Sequence, residues 1–148
     1  MNVEEPTDVA PVSIGTTVAT YFHSKDGNFS NQGALINLVV RLNIADGWHV
    51  YATVPQDVPY NPVKIESELP KGFRWYGDWQ KPVSSSGDVA GLTEFRGDAV
   101  FMRQFYATQA SSKTTIHGTI HFQACNVEKC LPVVSAPFDV PLTVYENY

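Results

Sequence analysis

The residues with the clearest chemical potential lie in one stretch, "HFQACNVEKCLPV", His121 to Val133, which holds the chain's two cysteines, Cys125 and Cys130. Three chemistries suit such a pair. Two thiolates are half of a zinc site, but structural zinc sites usually pair two such motifs, and here there is no second cysteine pair; His117 and His121 are the nearest additional ligands. A disulfide used as a staple would close a short loop, worth on the order of 2 kcal/mol in the chain-entropy model. Thiol exchange needs one accessible thiolate to attack a disulfide and a second thiol within reach to resolve the mixed disulfide, and the pair supplies both. The four-residue gap is not the Cys-x-x-Cys of a thioredoxin-type helix N-terminus, so a helix does not lower either thiol pKa. Lys129 adds local positive charge and Glu128 opposes it.

The strand leading into the pair sets its orientation. Ile116, Gly118, Ile120, Phe122 and Ala124 alternate as a core face, so His117, His121, Gln123 and Cys125 fall on the other. This parity puts Cys125 on or near the outer face, where a thiol is reactive or disulfide-bonded rather than an inert core residue. Asn126 to Lys129 form a turn that brings Cys130 back towards Cys125. His121 reads as an exposed strand residue.

The elements that must position this hairpin are strands. "ALINLVVRL" places Ala34, Ile36, Leu38, Val40 and Leu42 on one face, and further strands are expected over 12–22, 48–54, 62–68, 99–107, 114–124 and 136–144. Turn formers separate them: "KDGN", "NQG", "ADG" and "SSSGD". No window shows the 3.6-residue apolar repeat of a long helix. Seven or eight short strands in one chain predict an all-β fold, a β-sandwich, with a barrel as the alternative. Pro141 marks an edge strand or a bulge. Residues 77–92 read as a long polar loop with aromatic Trp75, Tyr76 and Trp79 at its start, and a loop of that length is functional or disordered. Trp48 reads as a packing residue of its strand.

At 148 residues, 43% hydrophobic and 17% charged, the chain fits one domain able to fold without a staple or metal. Residues 1–11 read as a lead-in or linker and 12–148 as a single domain. A formal net charge of −5 and the lack of a dense Lys/Arg block argue against nucleic-acid binding and against an anionic membrane surface. No apolar run approaches the roughly 20 residues that cross a bilayer. The acidic, proline-interrupted start is not a secretory signal, which leaves a cytoplasmic protein or a mature chain without its signal.

Four motifs in order, "ADGWHVYA" (45–52), "LPKGF" (69–73), "TEFRGD" (93–98) and above all "FQACNVEKCLP" (122–132), resemble the N-terminal periplasmic domain of the thiol:disulfide interchange protein DsbD, the disulfide bond corrector family. The resemblance implies an immunoglobulin-like β-sandwich located in the periplasm, exported by a signal peptide that this sequence lacks. It implies that Cys125 and Cys130 take electrons from a thioredoxin-like or membrane-embedded donor. The pair would then reduce a periplasmic disulfide isomerase or a cytochrome maturation protein, with Cys130 forming the mixed disulfide. Any membrane association would come through a separate domain. His49 and Tyr51 match aromatic positions near the family's site, and Tyr76 and Trp79 are the candidates for an aromatic cap. No cofactor and no metal is implied. The competing expectation is a non-enzymatic adhesion or carbohydrate-binding sandwich with a permanent structural disulfide.

Overall fold

A computed structural model describes residues 6, 10–20, 34–107 and 113–143. The turn formers expected at 25–28 and 31–33 lie outside the described residues, as do the end of the first expected strand and most of the lead-in. Among the described residues eleven strands follow in order: β1 (Val12–Thr20), β2 (Ala34–Ile44), β3 (His49–Thr53), β4 (Lys64–Glu68), β5 (Phe73–Gln80), β6 (Ser85–Ser86), β7 (Thr93–Phe95), β8 (Asp98–Ala107), β9 (Lys113–Phe122), β10 (Ala124–Cys125) and β11 (Val134–Thr143). They form three antiparallel sheets, ordered β1-β2-β8-β5, β11-β9-β4 and β10-β3-β7-β6.

The period-2 pattern of β2 decides the packing. Ile36, Leu38, Val40 and Leu42 are each at most 1% exposed and share one core with Phe101 and Phe105 of β8. The facing layer comes from Ile116 and Ile120 of β9 and from Phe138, Val140 and Leu142 of β11. Two sheets closing face to face over one apolar core make an immunoglobulin-like β-sandwich, the architecture expected from the strand count. Trp48 is 4% exposed within the same core, a packing residue as expected. Its position follows the Ala45–Gly47 turn, where the Trp48 N–H donates to Ala45 O at 3.0 Å and Gly47 takes φ 82°, the left-handed region that glycine enters without steric penalty.

β11 is an edge strand, which explains how it carries Pro137 and Pro141: a proline on an edge leaves no ladder bond missing. Opposite Pro137 and Phe138, β9 carries Thr119 and Gly118. A Cβ on Gly118 would stand 2.3 Å from Phe138 Cζ and 2.6 Å from Glu66 O, so the absent side chain is what lets the Phe138 ring lie across β9.

One expectation is corrected. Residues 77–92 are not a single polar loop: β5 continues to Gln80, and β6 adds a short pairing to β7. The strand persists because Phe73 and Trp75 pack on Phe105, with ring centroids 6.0 Å away in both cases. A register shift between Tyr76 and Gln80 concealed that alternation, with Gly77 at φ 77°.

Candidate functional site

The site is built where β9 leaves one sheet and enters another. After Phe122 the chain breaks pairing with β11 for one residue, Gln123, and then pairs with β3 as β10. Gln123 uses both ends of its amide to hold this crossing. Its Oε1 accepts from the Asn61 backbone N–H (3.1 Å) and from Asn61 Nδ2 (3.3 Å), and its Nε2 donates to Leu131 O (3.2 Å).

Strand alternation then sorts the side chains of β10, β3 and β7. Ala124, Val50 and Phe95 lie in one cross-strand row and enter the core. The opposite face receives Cys125, paired directly with His49, and Tyr51, paired directly with Glu94. Three short strands therefore bring a cysteine, an imidazole, a phenol and a carboxylate together on one surface.

Past Cys125 the chain turns as expected. Asn126 N–H donates to Lys129 O (2.8 Å), while Asn126 Oδ1 accepts from the Glu128 (2.9 Å) and Lys129 (2.8 Å) N–H groups, an Asx-turn that satisfies the tip of the hairpin. Leu131 N–H donates to Ala124 O at 2.9 Å and closes the base. Cys125 and Cys130 are bridged across this turn by a disulfide with a Cα–Cα separation of 4.0 Å.

The two sulfurs sit in different surroundings. Cys130 belongs to an exposed residue, whereas Cys125 is 1% exposed, packed in a small cluster with Tyr51 and Leu92, flanked by Val54 and Tyr60. This corrects the expectation that Cys125 lies on the outer face. Parity does turn it away from the core, but a second apolar cover built by Tyr51, Tyr60 and Leu92 closes over that face. Tyr51 and Tyr60 are stacked, with centroids 4.8 Å apart and planes 6° from parallel.

A cleft of ≈370 Å³ opens beside the disulfide, walled by His49, Tyr51, Tyr60, Glu94 and both cysteines. His49 Nε2 is 3.0 Å from Tyr51 Oη and 3.4 Å from Glu94 Oε2. Arg96 donates from Nε (2.8 Å) and Nη2 (2.6 Å) to Glu94 Oε1, and its Nη2 also stands 3.4 Å from His49 Nδ1. The paired guanidinium explains how Glu94 tolerates being only 7% exposed: a buried carboxylate needs a hydrogen-bonded counter-charge. Burial pushes the His49 pKa below its usual value, with the Glu94 carboxylate opposing that shift and Arg96 reinforcing it. Burial, with Tyr60 and Glu94 adding to it, pushes the Tyr51 hydroxyl up to about 12. At neutral pH the imidazole and the phenol are both uncharged.

The structure thus brings His49 and Tyr51 to the cysteines and leaves Tyr76 and Trp79 elsewhere. Both lie on β5: Tyr76 is 51% exposed, edge-on to Tyr106, and Trp79 packs at 6.4 Å from Trp75 and lines a separate cleft with Val63, Ile65 and Phe101. Neither lines the cleft at Cys125, because the strand pairing of β5 with β8 carries them into the other sheet. The segment after β6 does reach the site, through Asp88 and Leu92. His117 and His121 do not line that cleft either. His117 Nδ1 is 2.5 Å from Asp139 Oδ1, and His121 is bound to Glu66 (2.7 Å) and Ser135 (2.8 Å). Among the described residues no group of three or more His, Cys, Asp or Glu side chains could hold a metal ion.

Tyr60, Leu92, Glu94 and Arg96 carried no role in the sequence reading. Glu94 and Arg96 stand within "TEFRGD", whose three-residue strand is too short to show an alternation.

Fold and site together define an immunoglobulin-like β-sandwich with a disulfide that joins a buried cysteine to one in an exposed hairpin position. No family model and no curated protein sequence matches the chain. Among solved structures it is similar to the reduced N-terminal domain of DsbD from Neisseria meningitidis, at 16% identity and TM-score 0.47 over 78% of this chain and 85% of that one. It is also similar to the N-terminal periplasmic domain of ScsB from Proteus mirabilis, at 17% identity and TM-score 0.48, over 92% of this chain and 46% of that one. A family 123 glycoside hydrolase from Clostridium perfringens is more distant, at 13% identity and TM-score 0.34 over 90% of this chain and 27% of that one.

Proposed function

We propose that this protein is a periplasmic thiol:disulfide exchange domain, which takes electrons from a thioredoxin-like or membrane-embedded donor and passes them to disulfide-containing partner proteins, such as a disulfide isomerase or a cytochrome maturation protein. The observation that carries this reading is the asymmetry of the bridge, with Cys130 exposed at the hairpin and Cys125 enclosed by Tyr51 and Leu92. Exchange proceeds by in-line attack on one sulfur while the other leaves. A donor thiolate reaches Cys130 Sγ, the Cys125–Cys130 bond breaks, and Cys125 departs as the thiolate and takes up a proton. A second donor thiol then attacks the mixed disulfide at the donor sulfur and releases Cys130, leaving a dithiol domain and an oxidised donor. In the forward half, the Cys130 thiolate attacks the partner's disulfide, and Cys125 resolves the intermediate.

A staple gains little here, because the loop it closes is short and the main apolar core contains neither cysteine, Cys125 lying in the smaller cluster with Tyr51 and Leu92. The deciding experiment is equilibration of the pair in defined thiol buffers with the fold followed in parallel. A reduction potential of roughly −180 to −270 mV, with the fold kept in both states, is the expected result. A value below about −300 mV, or unfolding on reduction, overturns the exchange reading in favour of a structural disulfide. Cys130→Ser is expected to abolish turnover with a reduced thioredoxin-like donor and leave the fold intact.

A further inference from the structure

Exchange leaves a chemical problem at Cys125. A thiol enclosed by apolar side chains has its ionisation disfavoured, yet resolution of a mixed disulfide on Cys130 requires the Cys125 thiolate. Something must take the proton inside the cover. His49 is the direct cross-strand neighbour of Cys125 on the same sheet face, its side chain is 12% exposed, and it lines the same cleft as both cysteines. Directly opposed residues in an antiparallel pair have Cβ atoms about 4.5–5.5 Å apart, within reach of an imidazole.

The geometry points to His49 as the acid–base group that removes the proton from the Cys125 thiol when the mixed disulfide is resolved, and returns it when the Cys125–Cys130 bond is reduced. This rests on the exchange reading. With the partner bound as a Cys130 mixed disulfide, the Cys125 S–H proton passes to the neutral imidazole. The Cys125 thiolate attacks Cys130 Sγ, the Cys125–Cys130 bond forms, the Cys130–partner bond breaks, and the partner leaves as a thiolate. Two electrons have then moved from the cysteine pair to the partner's former disulfide.

The surroundings suit this role from every side. Glu94, on β7, stands 3.4 Å from the ring and offsets the charge of the imidazolium. Arg96, from the turn after β7, satisfies Glu94 and disfavours a permanently protonated His49. Asp88 reaches the cleft from the segment after β6, Tyr51 keeps its phenol proton at neutral pH, Tyr60 lines the cleft with its ring, and Glu128 and Lys129 lie on the hairpin tip with opposite charges. Because the His49 pKa is held below its usual value, the base form predominates at neutral pH, the condition for accepting a proton.

The test is single-turnover oxidation of the reduced, full-length chain by dithiobis(nitrobenzoate), which releases one coloured thiolate on attack by Cys130 and a second on resolution by Cys125. In the wild type, the second phase is expected to rise with pH through an inflection below 6.5 and then level off. His49→Gln keeps a hydrogen-bonding side chain but cannot titrate. It is expected to slow the second phase about 10²-fold near neutral pH, to abolish the inflection, and to leave the first phase unchanged. Glu94→Gln supplies an independent reading, since loss of the carboxylate should move the inflection to lower pH. A second phase in His49→Gln with the wild-type rate and pH profile, or an inflection that stays in place in Glu94→Gln, overturns the role of His49 alone. If the reduced, folded wild type releases no thiolate, the exchange reading fails and the role of His49 falls with it.

Discussion

At the scale of single residues, the cover over Cys125 leaves it 1% exposed. Leu92 is 4% exposed against Tyr51 and Cys125, so Leu92→Ala removes buried methyl groups and leaves a cavity, a change that typically costs about 2–5 kcal/mol. In the reduced wild type, alkylation is expected to modify Cys130 first, and Leu92→Ala should raise the Cys125 rate towards that of Cys130. Mass mapping of partially alkylated protein checks this, and an unchanged preference would show that Leu92 is not the barrier. The cysteine hairpin was legible from two residue types and their spacing, and the Asx-turn residue Asn126 stands where a turn was expected. The cover was not. Its members, Tyr51, Tyr60 and Leu92, come from separate segments, and no local period links them. Parity tells which way Cys125 faces, and only tertiary structure tells what lies there.

At the scale of elements, strand alternation carried most of the information. The inward sets of β2 and β9 follow directly from apolar residues at every second position. Strands β5, β6 and β7 escaped for identifiable reasons: a register shift interrupts β5 after Tyr76, while β6 and β7 have two and three residues. Where the alternation holds, one glycine is indispensable. Gly118 faces the core side of β9 and leaves the space taken by the Phe138 ring. Gly118→Val is expected to destabilise the domain by about 1–3 kcal/mol, because the ring and the β4 backbone at Glu66 would have to move apart. Denaturant unfolding would reveal it, and a variant as stable as the wild type would mean that Phe138 finds another rotamer at no cost.

At the scale of the whole molecule, the disulfide stands apart from what holds the sandwich together. The main core runs from Ile36 through Phe105 and Ile116 to Leu142 and includes neither cysteine, Cys125 belonging to the smaller cluster with Tyr51 and Leu92. Opening a bridge that closes so short a loop should therefore cost no more than about 2 kcal/mol, with the cooperative transition retained. Calorimetry of the oxidised and reduced forms tests this, and a broad or absent transition in the reduced form would count against it. The all-β architecture was legible from composition and period alone. The meeting of three short strands at His49, Glu94 and Cys125 depends on chain segments more than 30 residues apart, which a linear pattern does not join.

The Gln123 amide gives the hairpin a mechanical property. It grips Asn61 on one side and the Leu131 carbonyl on the other, fastening both legs just below the sulfurs through bonds that do not involve either cysteine side chain. An opened pair is therefore a hinge with a short throw rather than two free ends. Its thiols meet at a high effective concentration. On the proposed exchange function, a partner captured on Cys130 would be released by internal resolution ahead of competition from outside thiols.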